Sequence, residues 1–318
     1  MRHLKRQIGY ASIVFVCLAL LPAQTAVSGE PGSVLWTVAR PGTPTSYLLG
    51  TIHSDDPRVV GLSPAIETAL HQSSSFAMEL IPDFSALGDL SAAMTLPPGK
   101  DLGDYMSPSL LRKVIAALGE RGIGKPVALH MRPWAVMTNL SIPKSRTGQF
   151  LDLVLYQKAV LQKKRTVGLE TVAEQLGFLQ GLPMAVKREF ISETLKVGHA
   201  QELAAFAALL DAYLANDLAK VTLLSNQQLE SVSKTSARLF RERGIWQRNA
   251  RMLKRALPLF AKGHAFVAVG ALHLPEKHGL INGLRKAGYH VEPVACAWSK
   301  SRIHVPVKHN GVATCPPS

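Results

Sequence analysis

Tyr47-Leu48-Leu49-Gly50-Thr51-Ile52-His53 and Phe266-Val267-Ala268-Val269-Gly270-Ala271-Leu272-His273 follow one pattern. Each is an apolar, strand-like run that closes on glycine, two small or apolar residues and a histidine. A strand ending this way carries an imidazole at its carboxyl end, where open α/β sheets bind ligands. A lone Gly-x-x-His is common and says little. Two on matching strands, far apart in the chain, point to a site on an α/β fold with a central mixed or mostly parallel sheet.

Outward from the first unit, Val34–Val38 and Ser46–Leu49 flank Arg40-Pro41-Gly42-Thr43-Pro44, the pattern of a hairpin. A helix is expected from Ser63, with Pro64 in its first turn and Glu67 near the capping-box position. Ser75–Ile81 reads as a further strand. Helical patterns follow over Ser107–Glu120, Arg132–Leu140 and Gln149–Gln162. An alanine- and leucine-rich middle, about 171–260, reads as a helical insertion that ends in a long basic helix, Ser233–Leu259. After strand 264–272 come a helix over 278–287 and a last strand, 289–294. One domain over 34–294 is the expectation, with a tail at 295–318.

Four ionisable residues fall at the ends of expected strands: His53, Glu79, Glu170 and His273. Two neutral imidazoles with one or two carboxylates suit Zn, Mn, Fe or Co as divalent ions. Glu79 interrupts Phe76-Ala77-Met78-Glu79-Leu80-Ile81, where an unpaired buried carboxylate is costly. A metal relieves that cost, and so does an arginine such as Arg248. Glu170 has a plainer alternative role as a helix-start carboxylate. Arg248, beside Asn249 on the basic helix, could hold a substrate carboxylate or an oxyanion; a solvated helix face is its alternative. Asp55 and Asp56 follow His53, and Asp56-Pro57 also makes an ordinary turn. His-Glu-x-x-His, Gly-x-Ser-x-Gly and phosphate-loop motifs are absent from the sequence.

The ends of the chain point to export. Arg2, Lys5 and Arg6 precede an apolar run, Ile8–Leu21, and a small-residue stretch near Ala23–Ala26, which together read as a signal peptide over 1–26. An uncleaved anchor is the alternative. Cys296 and Cys315 then remain in an oxidising compartment, where a bridge between them is expected. Net charge is +14. The basic residues are scattered, apart from Lys163-Lys164-Arg165, without interleaved aromatics. That argues against nucleic acid and towards anionic membrane surfaces or acidic polymers.

Taken in order, these blocks resemble the TraB/PrgY/GumN family, which includes the TIKI proteins. They are Tyr47–His53 with Asp56-Pro57-Arg58, Met78-Glu79-Leu80, Gly168–Thr171 with Glu174-Gln175-Leu176, Arg248-Asn249 with Met252, and Phe266–Pro275 with Gly279-Leu280. The resemblance implies a fold related to erythromycin-esterase-like and haem-binding ChaN-like proteins. It also implies a periplasmic, metal-dependent, peptidase-like hydrolase with a peptide or protein substrate, and an association with envelope polysaccharide machinery. The family's motifs transfer to His53 and His273 as metal ligands and to Glu79 as a ligand or a base; Glu170 and Arg248 are the further catalytic candidates of the sequence itself. The rival expectation is a binding protein without turnover, holding haem, another cofactor or a polymer end. One departure stands out: Glu276 follows Leu274-Pro275 where a glycine is usual.

Overall fold

The computed structural model describes residues 32–298 apart from 83, 143 and 144. The signal segment, most of the tail and Cys315 lie outside the described residues; Cys296 is described and buried.

Leu35–Arg40 (β1) and Thr43–Thr51 (β2) form the expected hairpin. Its loop combines the fixed backbone of Pro41 with Gly42 at φ 76°, the left-handed region that glycine enters freely. Asp56 and Ser63 then cap two helices, Pro57–Val60 (α1) and Pro64–Gln72 (α2), by accepting backbone N–H groups of Arg58 and Ile66. Glu67 falls one residue past the capping-box position and pairs with Lys158 at 2.9 Å instead. Ser75–Met78 (β3) is shorter than its apolar run, because the chain leaves the sheet at Glu79.

Helices Phe84–Met94 (α3), Pro108–Glu120 (α4), Lys125–Leu129 (α5), Pro133–Leu140 (α6) and Leu151–Leu161 (α7) lead to Arg165–Gly168 (β4). Val172–Gly181 (α8) starts on a capping box between Thr171 and Glu174. Met184–Thr194 (α9), His199–Leu214 (α10), Leu218–Leu229 (α11) and Lys234–Arg241 (α12) follow. The single basic helix expected over 233–259 is continuously helical from Lys234 to Lys262, with one π turn inside it. A π turn at Glu242–Trp246 separates α12 from Gln247–Lys262 (α13), at the point where the Phe178 ring presses on Gly244. Ala265–Gly270 (β5), Leu280–Lys286 (α14) and His290–Val294 (β6) complete the chain.

The fold is α/β with a mixed six-stranded sheet, ordered β4-β3-β5-β2-β1-β6. Strands β4, β3, β5 and β2 are mutually parallel, and β1 alone runs against the rest. The four parallel strands therefore end at one edge.

Two groups of buried side chains hold the molecule together. Leu48, Phe76 and Phe266 of the sheet pack with Leu70, Leu155, Tyr213 and Phe260 from its helices. Trp134, Phe178, Phe190 and Phe240 centre a second core, built by α3–α6 together with α8, α9 and α12. The stretch 171–260 is thus shared, with α10, α11 and α13 also serving the sheet. Among the described residues no helix is long and apolar enough to cross a membrane.

Candidate functional site

His53 follows the end of β2, Glu79 the end of β3, Glu170 the end of β4 and His273 the end of β5. Parallel pairing brings all four to one edge. Arg248 comes from the buried stripe of α13, together with Asn249 and Met252, rather than from a solvated face.

Arg248 is the hub. Its Nη2 lies 2.5 Å from Glu79 Oε2 and 2.5 Å from Glu170 Oε2, and its Nε donates to Glu170 at 2.9 Å. Arg251 donates to the other Glu170 oxygen at 3.1 Å, and the Gln175 amide reaches both carboxylates at 3.3 and 3.5 Å. Glu170 is thus a buried, doubly paired carboxylate rather than a helix-dipole partner. Burial is the largest single influence on Glu79 and opposes its ionisation, but Arg248, His273 and the Gly270 N–H at 2.7 Å together outweigh it, and its pKa falls to about 2. The two carboxylates in turn keep Arg248 charged despite its burial.

Each glycine of the paired motifs makes room for something specific. A Cβ on Gly50 would lie 2.9 Å from Ala271 Cα, so the first glycine lets the second turn pack against β2. A Cβ on Gly270 would lie 3.3 Å from Glu79 Oε1, crowding the carboxylate that this glycine's own N–H holds.

Both histidines are buried and neutral. Burial lowers His53 to about 3 and His273 to about 4. Asn249 donates its amide to the backbone oxygens of His273 and His278, at 3.2 and 2.8 Å, which leaves its Oδ1 as the acceptor 2.6 Å from His273 Nδ1. The His273 proton is therefore assigned to Nδ1, and the Nε2 lone pair faces Glu79 Oε1 across 3.6 Å. Lone pair facing carboxylate is an arrangement that a shared cation would satisfy. His53 stacks on Phe150 with ring centroids 3.6 Å apart, and its buried Nδ1 has no hydrogen-bond partner among the described residues.

The donor chemistry suits a transition metal: neutral imidazoles and an ionised carboxylate. The arrangement is not a closed cage. Among the described residues no group of three or more His, Cys, Asp or Glu side chains stands ready to hold an ion, and Glu79 Oε2 is given to Arg248. Asp56 caps α1. Asp55 turns away and accepts from Ser145 Oγ and from the backbone N–H groups of Arg146 and Thr147.

Sequence reasoning missed Gln175, the Asn249 clamp and Asp152. The last had a usable signal. Asp152 breaks the apolar run Phe150-Leu151-Asp152-Leu153-Val154-Leu155 much as Glu79 breaks its own.

Comparison with known proteins finds relatives named as metalloproteases. Metalloprotease TIKI1 of Danio rerio is 30% identical over 312 residues, covering 82% of this chain and 63% of that protein. Metalloprotease TIKI2 of Xenopus tropicalis is 28% identical, covering 89% of this chain and 67% of that protein. Metalloprotease TIKI1 of Homo sapiens is 29% identical, covering 83% and 62%. The chain thus spans less than two thirds of the TIKI1 relatives. No solved structure matches it, so kinship with esterase-like or ChaN-like folds rests on the sequence resemblance alone. The TraB/PrgY/gumN family pattern matches residues 34–293, which takes in β1 to β5 and all but the last residue of β6; the chain belongs to that family.

Proposed function

We propose that this protein is an exported, metal-dependent hydrolase of peptide bonds, with His53, His273 and Glu79 as the metal's ligands. The observation that carries the reading is the buried His273 Nε2 lone pair aimed at an ionised carboxylate, 3.6 Å away, with the ring proton held on Nδ1 by the Asn249 Oδ1 acceptor. The substrate class comes from the relatives, which are named metalloproteases. A divalent Mn, Co, Zn or Fe ion would supply Lewis acidity and lower the pKa of a bound water towards about 7.

The chain's own groups divide the remaining work. His53 and His273 are neutral donors at any pH above their depressed pKa values. Glu79, held ionised by Arg248, fits a ligand better than a base. Arg248 keeps that charge compensated; its Nε and Nη2 are taken by Glu79 and Glu170, which leaves only Nη1 to meet an oxyanion or substrate carboxylate. Glu170 fixes Arg248. Export through segment 1–26 and a Cys296–Cys315 bridge belong to the same reading.

Metal analysis of the mature protein, followed by peptide-library cleavage, tests it. One transition metal per chain, lost in His53→Ala and His273→Ala, is expected. Unchanged metal content in both variants would remove the assignment. The engagement of Glu79 by Arg248 favours a second reading, a cofactor- or polymer-binding envelope protein without turnover. A Soret band in a protein inert towards peptides would select that one.

A further inference from the structure

Thr51 and Gly270 face one another across β2 and β5, at the last paired position before the two turns. Each holds a carboxylate. Gly270 N–H donates to Glu79 Oε1 at 2.7 Å, and Thr51 Oγ1 donates to Asp152 Oδ1 at 2.7 Å. Neighbouring strands lie about 4.8 Å apart, so the two anchoring residues, though not the carboxylates themselves, sit one strand spacing from each other at the same edge.

Asp152 is held there from several directions. It lies in the first turn of α7, whose start grips the first Gly-x-x-His turn at three successive residues. The Phe150 ring covers His53, Leu151 N–H donates to Ser54 O at 3.3 Å, and Asp152 takes Thr51. Asp55 returns the grip on the loop before α7.

The two acids differ in what surrounds them. Glu79 is neutralised by Arg248, whereas Asp152 has no ion-pair partner among the described residues; the residue keeps some exposure while its carboxyl is buried. The charged group acting on it is Glu79, from the β3 edge; Tyr213, from α10, whose hydroxyl donates to Gly50 O at 2.8 Å, is neutral and is itself pushed up by burial and by the Asp152 charge. Burial pushes the Asp152 carboxyl up to about 6 against the Thr51 hydrogen bond, and the Glu79 charge adds to the rise. Acid and base roles in such sites follow carboxyls whose environments separate them in this way.

We propose that Asp152 is the proton-transfer carboxylate of this site, held by Thr51 to take a proton from the attacking water and return it to the departing amine. This rests on the hydrolase reading. Water oxygen bonds to the scissile carbonyl carbon as one water proton passes to Asp152. The C–N bond then breaks, its electron pair stays on nitrogen, and that nitrogen takes the proton from Asp152. Peptide and water give acid and amine, and the carboxylate is restored. Glu79 stays a fixed anion throughout.

The test compares full-length mature protein loaded separately with Zn, Mn or Co against Asp152→Asn, Thr51→Val and His53→Ala, following peptide cleavage, metal content and melting. For Asp152→Asn we expect kcat to fall about 10²–10⁴-fold, with KM and metal content unchanged. Removing the Thr51 hydrogen bond should move the acid limb of the pH–rate profile to higher pH, a shift that a purely structural role does not produce. Near-native kcat in Asp152→Asn, alongside an inactive His53→Ala, overturns the proposal and spares the hydrolase reading. So does loss of metal from Asp152→Asn, which would make Asp152 a ligand. If Asp152→Asn fails to fold, an unmoved profile in Thr51→Val overturns it equally. A wild-type protein that binds each metal yet cleaves nothing removes the hydrolase reading and this role together.

Discussion

Arg248 Nη2 sits 2.5 Å from Glu79 Oε2 and 2.5 Å from Glu170 Oε2, one buried cation between two carboxylates that reach the sheet edge from different strands. Arg248→Met removes the charge and keeps most of the volume. The carboxylates then face each other with only Arg251 and Gln175 in support. We expect a loss of about 3–5 kcal/mol at pH 7.5, as for other buried pairs stripped of one partner. Without its cation Glu79 binds a proton more readily in the folded state, so the loss should shrink as pH falls towards 5. Urea titrations at the two pH values measure this, and an equal loss at both would show that packing, not charge, is what Arg248 supplies.

Asn249 makes a separate prediction, because it sets the His273 tautomer without touching the Nε2 face. Asn249→Ala leaves the imidazole Nδ1–H and two backbone oxygens without their partner. About 1–3 kcal/mol of stability should go with it. Metal affinity, where the metal binds, should weaken by about 10–100-fold, as for other outer-shell changes. Asn249→Asp restores an acceptor for Nδ1–H, so it should recover metal affinity better than stability. Equal affinity in Ala and Asp variants would detach the tautomer from binding.

The edge was legible because periodicity and interruption are local properties of sequence. Apolar runs that end in Gly-x-x-His mark β2 and β5, and a carboxylate lodged in an apolar run marks Glu79. Parallel pairing of β2, β5, β3 and β4 then makes the grouping of His53, Glu79, Glu170 and His273 a matter of topology. What stayed hidden depends on contacts between distant segments. The π turn at 242–246 exists where Phe178, from another helix, presses on Gly244, and nothing within 233–259 announces that contact. The helix Phe84–Met94 mixes small and polar residues without a clear stripe, so its sequence pattern is weak. Asp152 carried the same signal as Glu79, but it sat in a helical pattern where one exposed acid is unremarkable.

The metal-free protein should lose stability on mild acidification. An unfolded histidine takes a proton near pH 6.5, whereas folded His53 and His273 wait until about 3 and 4. Between those values the unfolded chain binds more protons, so stability is fully present above about pH 6.5 and falls as pH drops towards 4. At about 1.4 kcal/mol per unit, each imidazole contributes on the order of 3 kcal/mol to that fall. Asp152 works in the opposite sense between its unfolded value of 3.8 and about 6, where the folded state holds the extra proton. Urea midpoints at pH 7.5, 6 and 5 should decline, less steeply in His273→Asn. A flat series would mean the imidazoles are not buried as described.

Glu276 offers a gain rather than a loss. It sits at φ 68°, in the left-handed region, at the position where the family resemblance calls for glycine. An L-residue with a side chain is disfavoured there by about 1–2 kcal/mol, while glycine gives back about 0.5–1 kcal/mol in unfolded-chain entropy. Its carboxylate meets Asn226 at 3.1 Å on an exposed surface, a contact of small weight. Glu276→Gly should therefore raise stability by about 0.5–1 kcal/mol without moving the turn, since Leu274 N–H still bonds Ala271 O and Asn249 still bonds His278 O. Glu276→Ala is the control, because it removes the same carboxylate yet keeps the Cβ. A higher urea midpoint for Gly alone, at equal slope, locates the cost in the backbone. Equal gains for Ala and Gly would place it in the charge instead, beside a turn whose left-handed residue then costs nothing measurable.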